Sequence, residues 1–87
     1  MKKPNHYSVL KAALENGTLE LVRDIQLIVP ITTLTQDMRL NYNTLSKRLL
    51  DPSRLTMADI NRLSTLIGID SSELFRRILK EVKGRRG

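Results

Sequence analysis

The chain has 87 residues, 40% of them hydrophobic and 28% charged, which is typical of a single folded domain and excludes a disordered chain. It contains no cysteine, which excludes disulfides, zinc–thiolate sites and thiol catalysis. Fifteen Lys and Arg residues against nine Asp and Glu residues give a net charge of +6, which attracts polyanions such as nucleic acid unless it serves solubility alone.

Helical spacing of apolar residues dominates the first half of the chain. Apolar residues at 9, 10, 13 and 14 predict a first helix at about 8–16, which Gly17 ends. Thr18 is predicted to cap a second helix that continues to about Ile28, and Pro30 either ends it or begins the next one. Two short helices, 31–38 and 42–50, follow with a three-residue link between them.

Capping residues set the boundaries in the second half. Residues 51–53, Asp-Pro-Ser, break the helix, and Thr56 with Asp59 three residues later forms a capping box. The helix that begins there continues to Gly68. A second capping sequence at 70–73 begins a last helix that continues to about Val82 and is followed by a basic flexible tail at 83–87.

The predicted fold class is therefore all-α, a compact bundle of five to six short helices in one domain. No apolar run approaches the ~20 residues that span a bilayer, and no apolar segment follows residues 1–4, so we expect a cytoplasmic protein. The following residues are predicted to be buried together in the core: Leu34, Met38, Leu45, Ile60, Leu63, Leu66, Leu74 and Ile78.

Helices 31–38 and 42–50 have the spacing of a helix-turn-helix. In that motif the second helix lies in the major groove of DNA and the first crosses the phosphate backbone. An ordinary corner between two helices of a small bundle has the same spacing and is the alternative.

A more specific pattern follows in residues 54–75, RLTMADINRLSTLIGIDSSELF, where a capped helix ends in Leu-Ile-Gly-Ile and a second capped helix begins. With the helix pair before it, the segment 19–79 resembles the Cro- and phage-repressor-like helix-turn-helix domains, of the xenobiotic-response-element type. The resemblance implies a lambda-repressor-like fold of five helices, here with an added N-terminal helix at 8–17. It also implies sequence-specific binding of double-stranded DNA by a small prokaryotic or phage transcriptional regulator.

The chain departs from this family's pattern at four positions. Arg39 stands where the turn usually has glycine, and Thr35 stands where the first motif helix usually has a smaller residue. Arg48 fills a position that is usually apolar, and Ile31 replaces a customary glutamine.

Helix 42–50 supplies the candidate base-reading residues. Two orientations of this helix are possible, one with Leu45 and Leu49 on the inward side and one with Arg48 there. Asn43 and Lys47 point outward in both orientations. In the second orientation, Ser46 and Leu50 also point outward. An asparagine amide can pair with adenine, and a lysine can donate to guanine. The base-reading set is Tyr42, Asn43, Ser46 and Lys47. The alternatives are a capping role for Asn41 or Asn43, and packing of a half-buried Tyr42 on Leu49.

Phosphate contacts are expected from residues that flank the reading helix. Thr32 and Thr33 begin the first motif helix, where backbone N–H groups meet a phosphate readily. Arg39 lies in the turn and Arg54 follows the reading helix, although each of the four residues could simply be solvated. Because one short helix rarely gives specific affinity, a homodimer through helix 8–16 or helix 71–82 is also expected.

Motifs for catalysis and cofactor binding are absent from the sequence. There is no P-loop, GxGxxG, HExxH or nucleophile elbow, and His6 is the single histidine. We therefore expect no enzymatic activity, cofactor, metal or small-molecule ligand. The rival hypothesis is an antitoxin-like or phage-encoded protein-interaction module that keeps the fold without specific DNA binding. RNA binding is less favoured, because only three aromatic residues are available for stacking.

Overall fold

Five α-helices and two short 3₁₀ helices account for most of residues 6–86, the part of the chain that this computed structural model describes. The α-helices are α1 (His6–Glu15), α2 (Ile31–Met38), α3 (Tyr42–Leu50), α4 (Met57–Ile67) and α5 (Ser71–Arg86), and the 3₁₀ helices are Val22–Leu27 and Pro52–Arg54. No strand occurs in residues 6–86, so the predicted all-α class is confirmed. None of the helices in this range is long and apolar enough to cross a bilayer.

One continuous cluster of buried side chains holds the helices together. It consists of Leu10, Leu14, Val22, Ile25, Val29, Leu34, Met38, Leu45, Leu49, Ile60, Leu63, Ile67, Leu74 and Ile78. Seven of the eight predicted core residues belong to it, whereas Leu66 is only partly buried at its edge. The cluster includes two leucines of α1, so the first helix shares the core of the rest of the chain.

The helix predicted from Thr18 to about Ile28 is wrong in its first half. The backbone N–H of Thr18 donates to the Ala13 carbonyl at 3.0 Å in the turn that follows α1, and residues 18–20 belong to no helix. A 3₁₀ helix begins only at Val22, whose N–H donates to the Glu81 carboxylate of α5 at 2.8 Å. This contact joins residues 59 apart, and a local one lies beside it, from the Leu21 N–H to the Asp24 carboxylate at 3.2 Å.

The last helix is longer than predicted. Instead of ending near Val82, α5 continues to Arg86, so the backbone of the predicted tail is helical from residue 83 to residue 86. Lysine and arginine favour helix formation and are well placed near a helix C-terminus, which opposes the unfavourable propensity of Gly84. Gly87 and the side chains of Arg85 and Arg86 lie outside the described part of the chain.

Two polar contacts fix α1 on the other helices. The Tyr7 hydroxyl donates to the Asp37 carboxylate of α2, and Arg77 of α5 donates to the Leu14 carbonyl at 2.9 Å. Burial first, and then the hydrogen bond and charge of Asp37, raise the pKa of Tyr7 well above its ordinary value. α1 therefore contacts α2 at Asp37, which itself stays exposed.

Candidate nucleic-acid interface

The two helices of the predicted motif have the predicted bounds, Ile31–Met38 and Tyr42–Leu50. Pro30 precedes the first helical residue of α2, where its missing N–H costs nothing. The Asn41 side chain accepts a hydrogen bond from the Thr44 N–H at 2.7 Å and so caps α3. Of the two asparagines considered as caps, Asn41 has this role and Asn43 does not.

The turn between α2 and α3 places Arg39 in the left-handed conformation, with φ 56° and ψ 43°. The Leu40 N–H donates to the Thr35 carbonyl at 3.0 Å, which completes a Schellman motif. The ends of α1 and α4 form the same left-handed turn with Gly17 and Gly68, at φ 76° and 88°. Arg39 is the one non-glycine residue with positive φ in the described range, and this conformation strains its Cβ.

The inward side of α3 combines features of both predicted orientations. Leu45 and Leu49 are buried, yet Arg48 also turns partly inward, with 26% of its side chain exposed. Its Nη1 atom lies 2.6 Å from Oδ2 of Asp59, in the first turn of α4. Leu50 is left 51% exposed. An ion pair therefore occupies the usually apolar position and connects α3 to α4.

The outward side of α3 presents the candidate base-reading residues. Asn43 and Lys47 are exposed one helical turn apart, and Ser46 beside them is partly buried. Tyr42 is 56% exposed at the start of the helix. Within the described part of the chain, the side chains of Asn43 and Lys47 make no hydrogen bond or ion pair. Both remain available for a ligand.

The candidate phosphate-binding residues surround α3. Thr32 is exposed and Thr33 partly buried in the first turn of α2, which packs against α3. Arg39 is exposed in the turn. Arg54 is exposed in the 3₁₀ helix that contacts α3, but its Nε atom lies 3.4 Å from Oδ2 of Asp51. The Asp51 carboxylate would therefore compete with a phosphate for Arg54.

Asp51 has a lowered pKa for local reasons. The Ser53 hydroxyl donates to its carboxylate at 2.6 Å and is the largest cause of the lowered pKa, while the hydrogen bond and charge of Arg54 add to it. Asp51 thus remains charged beside Arg54.

Sequence reasoning missed one cation at this interface. The Nη1 atom of Arg62, on α4, donates to the Met38 carbonyl at 3.1 Å, beside the turn that contains Arg39. Arg62 is an exposed residue, although this hydrogen bond is partly buried. The contact spans 24 residues, and no sequence pattern signals it.

Other parts of the molecule offer less specific chemistry. No group of three or more His, Cys, Asp or Glu side chains in the described range could hold a metal ion. A cavity of about 610 Å³ lies between the end of α1, residues 17–25 and α5, and most of its wall is apolar. None of the candidate nucleic-acid-binding residues lines this cavity.

The strain at Arg39 leads to a prediction about stability. Replacing Arg39 with glycine should raise the free energy of unfolding by about 0.5–1 kcal/mol, because relief of the left-handed strain exceeds the extra entropy of the unfolded chain. Arg39→Ala is the matched control, since it removes the same charge but keeps the Cβ atom. Urea unfolding of the two variants measures the difference. Equal stability would show that the turn is not strained.

Comparisons of this chain with protein-family models, with curated proteins and with solved structures find no match.

Proposed function

We propose that the chain binds double-stranded DNA sequence-specifically, as a small transcriptional regulator. In this proposal α2, the turn at 39–41 and α3 form a helix-turn-helix within a lambda-repressor-like domain, and α3 enters the major groove. The observation that carries the proposal is the outward face of α3, where an amide and an ammonium group lie one turn apart with no partner among the described side chains.

Each group on this face has a suitable partner on a base edge. Asn43 can pair bidentately with adenine N6 and N7, and Lys47 can donate to guanine O6 and N7. Four residues of helix advance about 6 Å, so the two side chains reach base pairs about two steps apart. Tyr42 at the leading end can donate to a phosphate or contact a thymine methyl group, and the Ser46 hydroxyl can contact either kind of base pair.

Electrostatics around α3 also favour a polyanion. Arg39 and Lys47 are exposed cations of this region, whereas the charge of Arg48 is paired with Asp59, and Arg62 adds a further guanidinium at the turn. Arg39 stands where glycine would relieve strain, and strained residues tend to occur where they serve function. A phosphate contact by Arg39 would explain why a cation is kept there at some loss of stability.

The apolar surface of α5 favours this helix over α1 for dimer formation. Phe75 and Leu79 of α5 are 44% and 38% exposed one turn apart, whereas α1 exposes the smaller Val9. A dimer through α5 would present two copies of α3 to half-sites about one helical turn apart.

Selection of bound sequences from a random duplex pool at moderate salt tests the proposal. We expect one recovered motif, with two-fold symmetry if the protein binds as a dimer. On that duplex, Asn43→Ala or Lys47→Ala should lose about 1–3 kcal/mol of binding free energy and relax the preference at one or two base pairs. If Asn43→Ala binds every sequence as the parent does, α3 does not read bases through this residue.

Variants at the phosphate candidates should behave differently. Arg39→Ala should weaken binding to all duplexes alike and reduce the slope of log affinity against log salt by about one unit. Arg54→Ala should act in the same way but less strongly, because the charge of Arg54 is already paired with the Asp51 carboxylate. Lys80→Ala is the matched control, since this exposed lysine lines the cavity beside α1 instead. Equal effects of all three changes would indicate unspecific charge attraction.

A protein-binding module is the second candidate function. Met57 is 76% exposed and Phe75 44% exposed at the rim of a concavity of about 540 Å³ between the first turns of α4 and α5. Exposed apolar groups around a concavity are suited to a protein partner. Retention on bulk duplex DNA distinguishes the two functions, because phosphate binding weakens steeply with salt and an apolar interface does not.

A further inference from the structure

We infer that Leu50 contacts the methyl group of a thymine, about three base pairs from the base that Asn43 reads. This inference rests on the proposed binding of α3 in the major groove, and it adds a contact by an aliphatic side chain at the other end of α3 from Tyr42. Leu50 is 51% exposed, although the other leucines of α3 are buried.

Helix geometry places Leu50 in line with the candidate base-reading residues. Asn43 and Leu50 are seven residues apart, so their side chains differ in direction by only about 20°. Lys47 lies between them on the same face and is also exposed. The three side chains form one outward stripe, with Leu50 about 10 Å beyond Asn43 along the helix axis.

The chemistry of the major groove supplies one apolar partner for such a residue. Adenine, guanine and cytosine present donors and acceptors there, whereas thymine also presents its C5 methyl group. Neither an amide nor an ammonium group senses that methyl, but a leucine side chain in contact with it excludes water from both surfaces. At about 3.4 Å per base pair, the separation from Asn43 corresponds to about three base pairs.

Replacing thymine with uracil tests the inference, since this change removes the methyl group and leaves the base's hydrogen-bonding groups in place. Each thymine of the selected duplex is replaced in turn, and fluorescence anisotropy at fixed salt measures the dissociation constant. For the parent protein, one replacement should weaken binding about fourfold, the factor expected for one buried carbon group. The sensitive thymine should lie about three base pairs from the position at which Asn43→Ala relaxes preference.

Leu50→Ala should bind the thymine and uracil forms of that duplex equally. Val9→Ala is the matched control, because Val9 is 53% exposed on α1 and should keep the parent's discrimination. If no uracil replacement weakens the parent, or if Leu50→Ala discriminates as the parent does, the inference is wrong while DNA binding stands. If the parent selects no duplex sequence at all, the proposed function fails and the inference fails with it.

Discussion

Replacing Leu45 with alanine should lower the free energy of unfolding by about 2–5 kcal/mol, the range for large-to-small changes at fully buried positions. Leu45 has no exposed surface, and it lies in the core cluster with Leu34 and Met38 of α2 and Leu63 of α4. Truncation removes apolar contacts at this junction and leaves a cavity that the surrounding helices can close only in part. Urea unfolding followed by circular dichroism measures the loss.

Leu50→Ala is the matched control for this result. It makes the same chemical change on the same helix, but at a side chain that is 51% exposed, so stability should change by no more than about 0.5 kcal/mol. The contrast separates core packing from the loss of the leucine side chain as such, which is the same in both variants. A loss below about 1 kcal/mol for Leu45→Ala would contradict the packing of α3 described above.

Helix boundaries were predictable where a local signal fixes them. The bounds of α2 and α3 follow from Pro30, from the cap at Asn41 and from the Asp-Pro-Ser break, all of which act within a few residues. The capping box at the start of α4 is present as expected, since the Thr56 hydroxyl accepts from the Asp59 N–H at 3.0 Å. The start of the second helix was mispredicted at Thr18, whose N–H instead donates to the Ala13 carbonyl after α1, and the start observed at Val22 includes a contact with the distant Glu81 carboxylate.

The candidate site, too, could be predicted only where its geometry depends on one helix. The spacing of apolar residues predicted correctly that Asn43 and Lys47 are exposed. It did so because Leu45 is buried, and within one helix this fixes which side chains face outward. It did not identify which side Arg48 takes, since that depends on Asp59, 11 residues away on another helix. Arg48 on the apolar side of α3 thus indicated a tertiary contact, but the helical pattern did not show that Asp59 is its partner.

Removal of the Asp59 carboxylate should cost as much stability as truncation of a core side chain. Oδ2 of Asp59 accepts both from Arg48 at 2.6 Å and from the Thr56 N–H at 3.0 Å, and Asp59 is only 7% exposed. Asp59→Ala should therefore lower the free energy of unfolding by about 2–4 kcal/mol, because it removes a cap and leaves a partly buried guanidinium without its carboxylate. Chemical denaturation measures this loss.

Asp51→Ala provides the comparison, since Asp51 is also a capping carboxylate beside an arginine. Its side chain is 46% exposed and its partner Arg54 is 64% exposed at 3.4 Å, so the loss should be much smaller. Adding 1 M salt to the urea series should reduce the contribution of the exposed pair more than that of the buried one, because water and ions screen only groups that they reach. Equal small losses at both positions would mean that Arg48 is held in place by packing alone. A large loss confined to Asp59→Ala would instead show that the Asp59 carboxylate, through its contacts with Arg48 of α3 and with Thr56 at the start of α4, stabilises the fold far more than the exposed Asp51 does.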